Sequence, residues 1–519
     1  MSPWALGAAA ALFLLLGLLG SRFAGVLASP ADGALYRGVV YTLAGAVVLH
    51  LVLTLLDFAG VRWSLPILAV ALAVIAGLGA LPRPSSPRPS SPAPSPPPSP
   101  GEEGEQQERT TRTAGTKRTR RDQQDSSNRV PLSRGGGWEG AGEGTGVRAL
   151  GRGRATAPGW GDVLAIFALA VFASLALSGW LAMPDFVYHW GLKGHRFYLA
   201  RGVDYRFLSR SWNWAIHPDY PNLVPELFAV TALLAGGFDV PAMMLGTVAL
   251  FALLLAAVRE GLRRGGTDRF TRQAGTALVA LSSAAFGIGY IMAGAADWNL
   301  ALALAAAVPP LLRPPDRTGD FQIGVIAAFA AASKIEGVPL AAFLVAVQVV
   351  RRIRGAGTGR RLDLAGALAA GLLPALVILP WLGRAAHHHL FQTFDSGSFE
   401  LARAREIFAG VRQALRIPAW HGFLPAMFLP PLLLLSRRTR AFAAAATLEL
   451  LFYFYAYFTS PVGNYRYFVL SNFPRLGFQL VPACLVAALV AFAPKRERPA
   501  GSPPPAAQGD ESAGVSAAG

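Results

Sequence analysis

Residues 161–190 read GDVLAIFALAVFASLALSGWLAMPDFVYHW. Between Asp162 and Asp185 there is no charged side chain, and the polar groups are confined to Ser174, Ser178 and the indole of Trp180. An α-helix rises about 1.5 Å per residue, so about 20 such residues match the roughly 30 Å of a bilayer's hydrocarbon. Runs of the same kind lie near residues 4–22, 36–57 and 64–81, and again near 161–183, 240–258, 274–293, 298–312, 321–337, 339–351, 363–383, 418–436, 440–459 and 476–494. The pattern predicts an all-α, polytopic membrane protein with about thirteen transmembrane helices. The first run has no basic stretch before it and more runs follow, so it reads as a span and not as a signal peptide.

Composition agrees. Hydrophobic residues make up 53% of the 519-residue chain and charged residues 15%, too little charge to cover a soluble surface of this size. The net charge of +17 does not require nucleic acid, because Lys and Arg gather in the cytoplasmic loops of polytopic proteins. The single cysteine, Cys484, excludes an intrachain disulfide framework and a cysteine-cluster metal site.

The runs fall into groups. Residues 1–81 hold three leading spans. Residues 82–159 open on a Pro/Ser tract and continue through Glu-, Gln-, Arg- and Gly-rich sequence with thirteen basic and eight acidic residues. Such a segment buries too little apolar area to offset its ordering entropy and reads as a disordered cytoplasmic linker. Residues 160–495 hold about ten spans, and residues 496–519 form a disordered tail. With residue 184 outside, the loops that fall inside carry the arginine clusters Arg259 to Arg272, Arg351 to Arg361 and Arg437 to Arg440, as the positive-inside rule requires. Three long loops, 184–239, 384–417 and 460–475, fall outside and are rich in Trp, Tyr, His, Asp and Arg. The chain is thus expected in the inner (plasma) membrane, its chemistry on the outer face.

Asp185 closes the first long run, next to the bilayer, where partial dehydration tunes a carboxylate's basicity. It otherwise marks the water boundary after Pro184. Tyr188, His189, Trp190, Lys193 and His195 follow within ten residues. Asp297, in AGAADWNLALALAAA, sits in a short apolar turn, either as the N-cap of the next helix or as a functional carboxylate. In SKIEG (residues 333–337), Lys334 and Glu336 interrupt an apolar run. A lysine there holds a phosphate as a point charge, forms an ion pair or snorkels. Arg466 and Arg475, in SPVGNYRYFVLSNFPR, stand outside against the inside-positive trend, and arginine recognises phosphate bidentately. His387, His388 and His389 are adjacent on one helix and do not all face one metal ion. No GxxxxGK[ST], GxSxG or HExxH motif occurs, so nothing points to ATP-driven work or to those soluble-enzyme sites.

Residues 160–495 resemble the bacterial membrane glycosyltransferases of the GT-C fold, relatives of the protein O-mannosyltransferases and aminoarabinose transferases (glycosyltransferase family 39-like). The resemblance rests on Asp185 after the first span of the block, HPDYPNLVPE (residues 217–226), the ADWNLAL turn, SKIEG and SNFPRLGFQLVP. It implies a GT-C-like membrane domain with outer juxtamembrane helices. It also implies a sugar donor on polyprenyl phosphate and a glycan, lipid or protein acceptor at the outer face. Asp185 would be the general base, with Asp297 the second acidic catalytic position. Lys193, Lys334, Arg466 and Arg475 would lie near the donor phosphate. Tyr188, His189, Trp190, His217, Asp219, Tyr220 and Glu336 would bind substrate. A divalent cation shared by Asp185 and Asp297 is possible chemistry, though no ligand set demands one. Phe186 follows Asp185 where such enzymes often show an acidic pair. A transporter or lipid-linked-sugar flippase, with Glu449 its best feature, and a non-catalytic partner in envelope assembly are the other readings.

Overall fold

The computed structural model describes residues 3–79, 158–178, 185–291, 293–356, 364–391, 398–417, 423–460 and 464–493. The expected linker, but for its last two residues, and the expected tail lie outside the described residues. Among these the chain is helical and has no strand. The principal helices are α1 (Pro3–Ser21), α2 (Ala34–Phe58), α3 (Leu65–Gly79), α4 (Trp160–Leu177), α5 (Gly191–Ala200), α6 (Leu223–Ala235), α7 (Val240–Arg264), α8 (Arg269–Phe286), α9 (Asp297–Leu312), α10 (Arg317–Ser333), α11 (Gly337–Ala356), α12 (Leu364–His387), α13 (Ala404–Leu415), α14 (Arg440–Thr459) and α15 (Tyr465–Phe492). Six stretches are long and apolar enough to cross a membrane: α2, α4, α7, Gly366–His387 of α12, α14 and α15. Shorter apolar helices, α6 and α9 among them, pack between these.

Local chemistry sets the helix starts. The side chains of Asp239, Asp268 and Asp316 accept backbone N–H bonds from Ala242, Thr271 and Gly319 at 3.1, 2.9 and 2.6 Å, satisfying N–H groups that a helix cannot pair internally. The core is built of small residues. From Trp298 to Ala307 every residue of α9 is buried, and Ala327 to Ala332 of α10 likewise. Side chains this short let helix backbones approach closely, the usual way membrane helices gain packing contacts.

Several expected boundaries change. The segment 184–239, expected to be an outer loop, contains α6, a buried apolar helix of 13 residues, about 20 Å long and too short to register as a span. The expected span at 418–436 is instead two short turns, Leu424–Phe428 and Leu429–Leu433, because Pro425, Pro430 and Pro431 break the ladder. The last helix begins at Tyr465, where Asn464 caps it by accepting from Tyr467 N–H at 3.1 Å. Arg466 and Arg475 therefore lie on a helix and not in an outer loop.

The leading helices are not a separate body. The described residues of 1–80 and 158–519 cluster as one compact unit. Tyr36 of α2 donates to the Ala306 carbonyl in α9 at 2.8 Å. Asp32 accepts from Arg264 at 2.6 Å and from Gln322 at 3.0 Å. Arg259 pairs with Asp162 at 2.8 Å, and Arg352 pairs with Asp320. The arginine-rich helix ends thus gather at one end of the bundle. Asp297 and Lys334 mark the other, about 24 Å away along α9.

Candidate active site around Arg475

At that opposite end four chain segments bring charged groups together. Asp185 directly precedes a wide helical turn, Phe186–Trp190. Asp297 opens α9, Lys334 and Glu336 lie in the break between α10 and α11, and Arg475 comes from α15. The Arg475 guanidinium donates to Asp297 Oδ2 through Nη2 at 2.8 Å and Nε at 3.3 Å. The same Nη2 reaches Asp185 Oδ2. Asp297 Oδ1 accepts from Gln479 Nε2 at 2.6 Å and pairs with Lys334 Nζ at 3.2 Å. Lys334 also pairs with Glu336 at 2.9 Å. Behind the cluster Tyr453 O–H donates to Gln479 Oε1 at 2.5 Å.

Exposure divides the group. The Asp297 side chain is fully enclosed (0%), whereas those of Asp185, Glu336 and Arg475 keep 18, 19 and 22%. Asp297, expected among the catalytic residues, is closed to solvent and pairs with Arg475 and Lys334. The N-cap role considered for it is also absent, since the helix cap is Ala296 and the carboxylate is spent on cations. Between Asp185 and Asp297, where a shared divalent cation was considered, stands the Arg475 guanidinium. Among the described residues no group of three or more His, Cys, Asp or Glu side chains is placed to hold a metal ion.

Beside Asp185 runs a column of rings, two pairs stacked and the third tilted. His189 and His217 lie 5.0 Å apart, His217 and Tyr220 4.5 Å, and Trp190 and Tyr220 5.9 Å. Lys193, fully buried, sits 4.6 Å over the Trp190 ring and donates to the His217 carbonyl at 3.1 Å. Burial holds its ammonium down to about 7 against partial support from Asp219, because desolvation disfavours the charged form. His217 is pushed down to about 3 by burial and by the neighbouring His189 and Lys193. Burial also lowers His189, against the attraction of Asp185, and raises Tyr220. The rings of the column are therefore neutral near pH 7, and Lys193 is about half protonated there. His217 holds a left-handed backbone (φ +49°), unusual for a residue with a Cβ. His189 Nδ1, Trp190 Nε1 and His217 Nδ1 are buried with no hydrogen-bond partner among the described residues.

The structure thus joins Asp185, Asp297, Lys334, Glu336 and Arg475, and sets His189, Trp190, His217 and Tyr220 beside them. Tyr188 is exposed and lies off the column. Asp219 is buried, its carbonyl accepting from Trp381 Nε1 at 3.1 Å. Two expected phosphate-binding residues are placed elsewhere. Lys193 is enclosed in the column, and Arg466 is exposed and bonded to Gln413 at 3.0 Å, nine residues and about 14 Å along α15 from Arg475. In the histidine triplet His388 stacks on Tyr205 at 4.0 Å, an aromatic and not a ligand role. Gln479 and Tyr453 were missed. Their signal was polarity inside apolar runs, which the spans absorbed. Comparison with protein-family models, curated proteins and solved structures finds no match.

Proposed function

We propose that the chain is a membrane glycosyltransferase of GT-C type that moves a sugar from a polyprenyl-phosphate donor to an acceptor hydroxyl at the outer face, with Asp185 as general base. The observation that carries this reading is the unequal sharing of Arg475. Its guanidinium is fixed from behind by enclosed Asp297 and meets partly exposed Asp185 in front. Asp185 accepts the acceptor's hydroxyl proton as that oxygen attacks the anomeric carbon. The new C–O bond forms as the bond to phosphate breaks, configuration inverts, and polyprenyl phosphate leaves. Arg475 and Lys334 offset the charge on the departing phosphate, the kind of stabilisation that usually contributes most. The ring column beside Asp185 offers a neutral, aromatic wall for a sugar face. A lipid-linked donor needs no nucleotide-binding domain, in keeping with the absence of a phosphate-loop motif from the sequence.

The test is release of polyprenyl phosphate from a labelled lipid-linked sugar by purified protein in lipid. Asp185→Asn abolishes release while the protein stays folded and inserted; an active Asn variant removes Asp185 from the base role.

A transport reading has one observation in its favour. His50 Nδ1 and Glu226 Oε2 lie 2.6 Å apart with side chains 3% exposed, and Glu449 is wholly buried. Ionisable groups deep in membrane helices often mark translocation paths. Movement of a labelled lipid-linked sugar between liposome leaflets without release of free polyprenyl phosphate would favour transport over transfer.

A further inference from the structure

A second polar cavity lies apart from Arg475, where α2, the start of α6 and α12 meet. His50, Thr54 and Asp57 line it from α2, Asn222 and Glu226 from α6 and its cap, and Trp381 and Arg384 from α12, with Tyr205 beside them. The free space is about 10 Å³, which one water or one hydroxyl group fills. Tyr205 O–H donates to Asp57 Oδ2 at 2.8 Å, and the His50–Glu226 pair closes the inner wall. The Arg384 guanidinium lies 4.0 Å over the Phe58 ring.

Two atoms in this wall are unsatisfied. Asn222 is 1% exposed and its Oδ1, an acceptor, has no partner among the described residues; Arg384 Nε, a donor, is likewise buried without one. A buried polar atom left unpaired costs about 1–3 kcal/mol. A hydroxyl, like a water, satisfies an orphan acceptor and an orphan donor together, giving a proton to one and taking a hydrogen bond from the other. An anion would meet Asp57 and Glu226, and a cation would meet Arg384, so the wall favours a neutral ligand. The segment 217–222 connects this cavity to the ring column, for His217 and Tyr220 belong to the column and Asn222 to the cavity wall.

We propose that this cavity is a subsite for one hydroxyl-bearing arm of a carbohydrate, the acceptor of the transfer reaction; it rests on that reading and names where the acceptor is held. Asn222 Oδ1 accepts the hydroxyl proton and Arg384 Nε donates to the hydroxyl oxygen, while Asp57, held by Tyr205, and Trp381 bound the cavity.

The test uses full-length protein in detergent with methyl α-glucopyranoside, methyl α-mannopyranoside and glycerol as probes, followed by saturation-transfer NMR. No donor is present, so the outcome is independent of whether Asp185 catalyses transfer. At least one glycoside binds, and Asn222→Leu and Arg384→Gln each weaken it about tenfold, the loss of one polar contact. Arg466→Ala, remote from the cavity, leaves binding unchanged. Should Arg384→Gln fail to fold, Arg384→Lys keeps the charge, removes the Nε donor and decides the point by the same measurement. If no glycoside binds, the cavity holds water only and the proposal falls. Glycoside binding that survives both cavity substitutions also overturns it, by placing the sugar elsewhere.

Discussion

Replacing Asp297 by asparagine removes the negative centre of the Arg475 cluster while keeping the side chain's shape. In the folded protein this carboxylate meets Arg475 at 2.8 and 3.3 Å, Lys334 at 3.2 Å and Gln479 at 2.6 Å, with nothing exposed. Removing one partner from a buried ion pair costs about 3–5 kcal/mol, because the other charge stays buried without compensation. The Asn oxygen still accepts from Gln479 and Asp185 still holds Arg475, so the cost lies near the lower end, about 3 kcal/mol. Asp185→Asn is different. Its side chain is 18% exposed and touches Arg475 through a single nitrogen, so its stability cost is about 1 kcal/mol or less, whereas its proposed role makes it lethal to transfer. Denaturant or thermal unfolding in detergent, run beside the release assay, separates the two positions. A double-mutant cycle with Arg475→Gln should show coupling of about 2 kcal/mol to Asp297. If Asp297→Asn costs less than about 1 kcal/mol, or if the two substitutions are additive, Asp297 does not anchor Arg475 and the division between anchor and base is wrong.

Other outcomes follow from single residues. Lys193, held at about 7 when folded against an ordinary 10.5, binds fewer protons in the native state than in the unfolded chain between those values. Stability therefore rises with pH from about 7 to 10, by an amount on the order of several kcal/mol, and Lys193→Met should flatten that rise in pH-dependent melting. His217, held at about 3 against an ordinary 6.5, acts the same way at lower pH, so stability falls as pH drops through that window. Gly294 has φ +87° and a Cβ there would lie 2.7 Å from the Phe186 side chain; Gly294→Ala should destabilise by about 1–3 kcal/mol in the same melts. Arg466→Ala, at an exposed side chain, should change stability by less than about 0.5 kcal/mol and leave release kinetics unaltered.

How much was legible in the sequence follows the range of the interactions. Apolar runs report burial within one helix, and they marked α2, α4, α7 and α14 well. The same signal merged Lys334 and Glu336 into a span that the chain breaks between Ser333 and Gly337, and it passed over α6, whose 13 residues are too few to stand out. Charge in apolar surroundings singled out Asp185, Asp297 and Lys334 because such groups need partners. It could not name the partners. Arg475 meets Asp297 across 178 residues and Asp185 across 290, and no periodicity links positions that far apart. Asn464 after Pro461 and Gly463 is a helix-start signal, and reading it would have moved Arg475 from loop to helix. The pairing of His50 with Glu226 depends on docking a leading helix that the sequence alone set apart.

That docking has a consequence for how the chain can be handled. The contacts of Tyr36, His50 and Asp32 reach into α9, α6 and the α7 and α10 ends, and both partners of each lie among the described residues on either side of 80–157. Two polypeptides, one ending and the other beginning within residues 82–157, carry both partners of each of these contacts. Made together in one cell, such halves have what they need to find each other in the membrane. The covalent link supplies proximity, and the side chains supply the address.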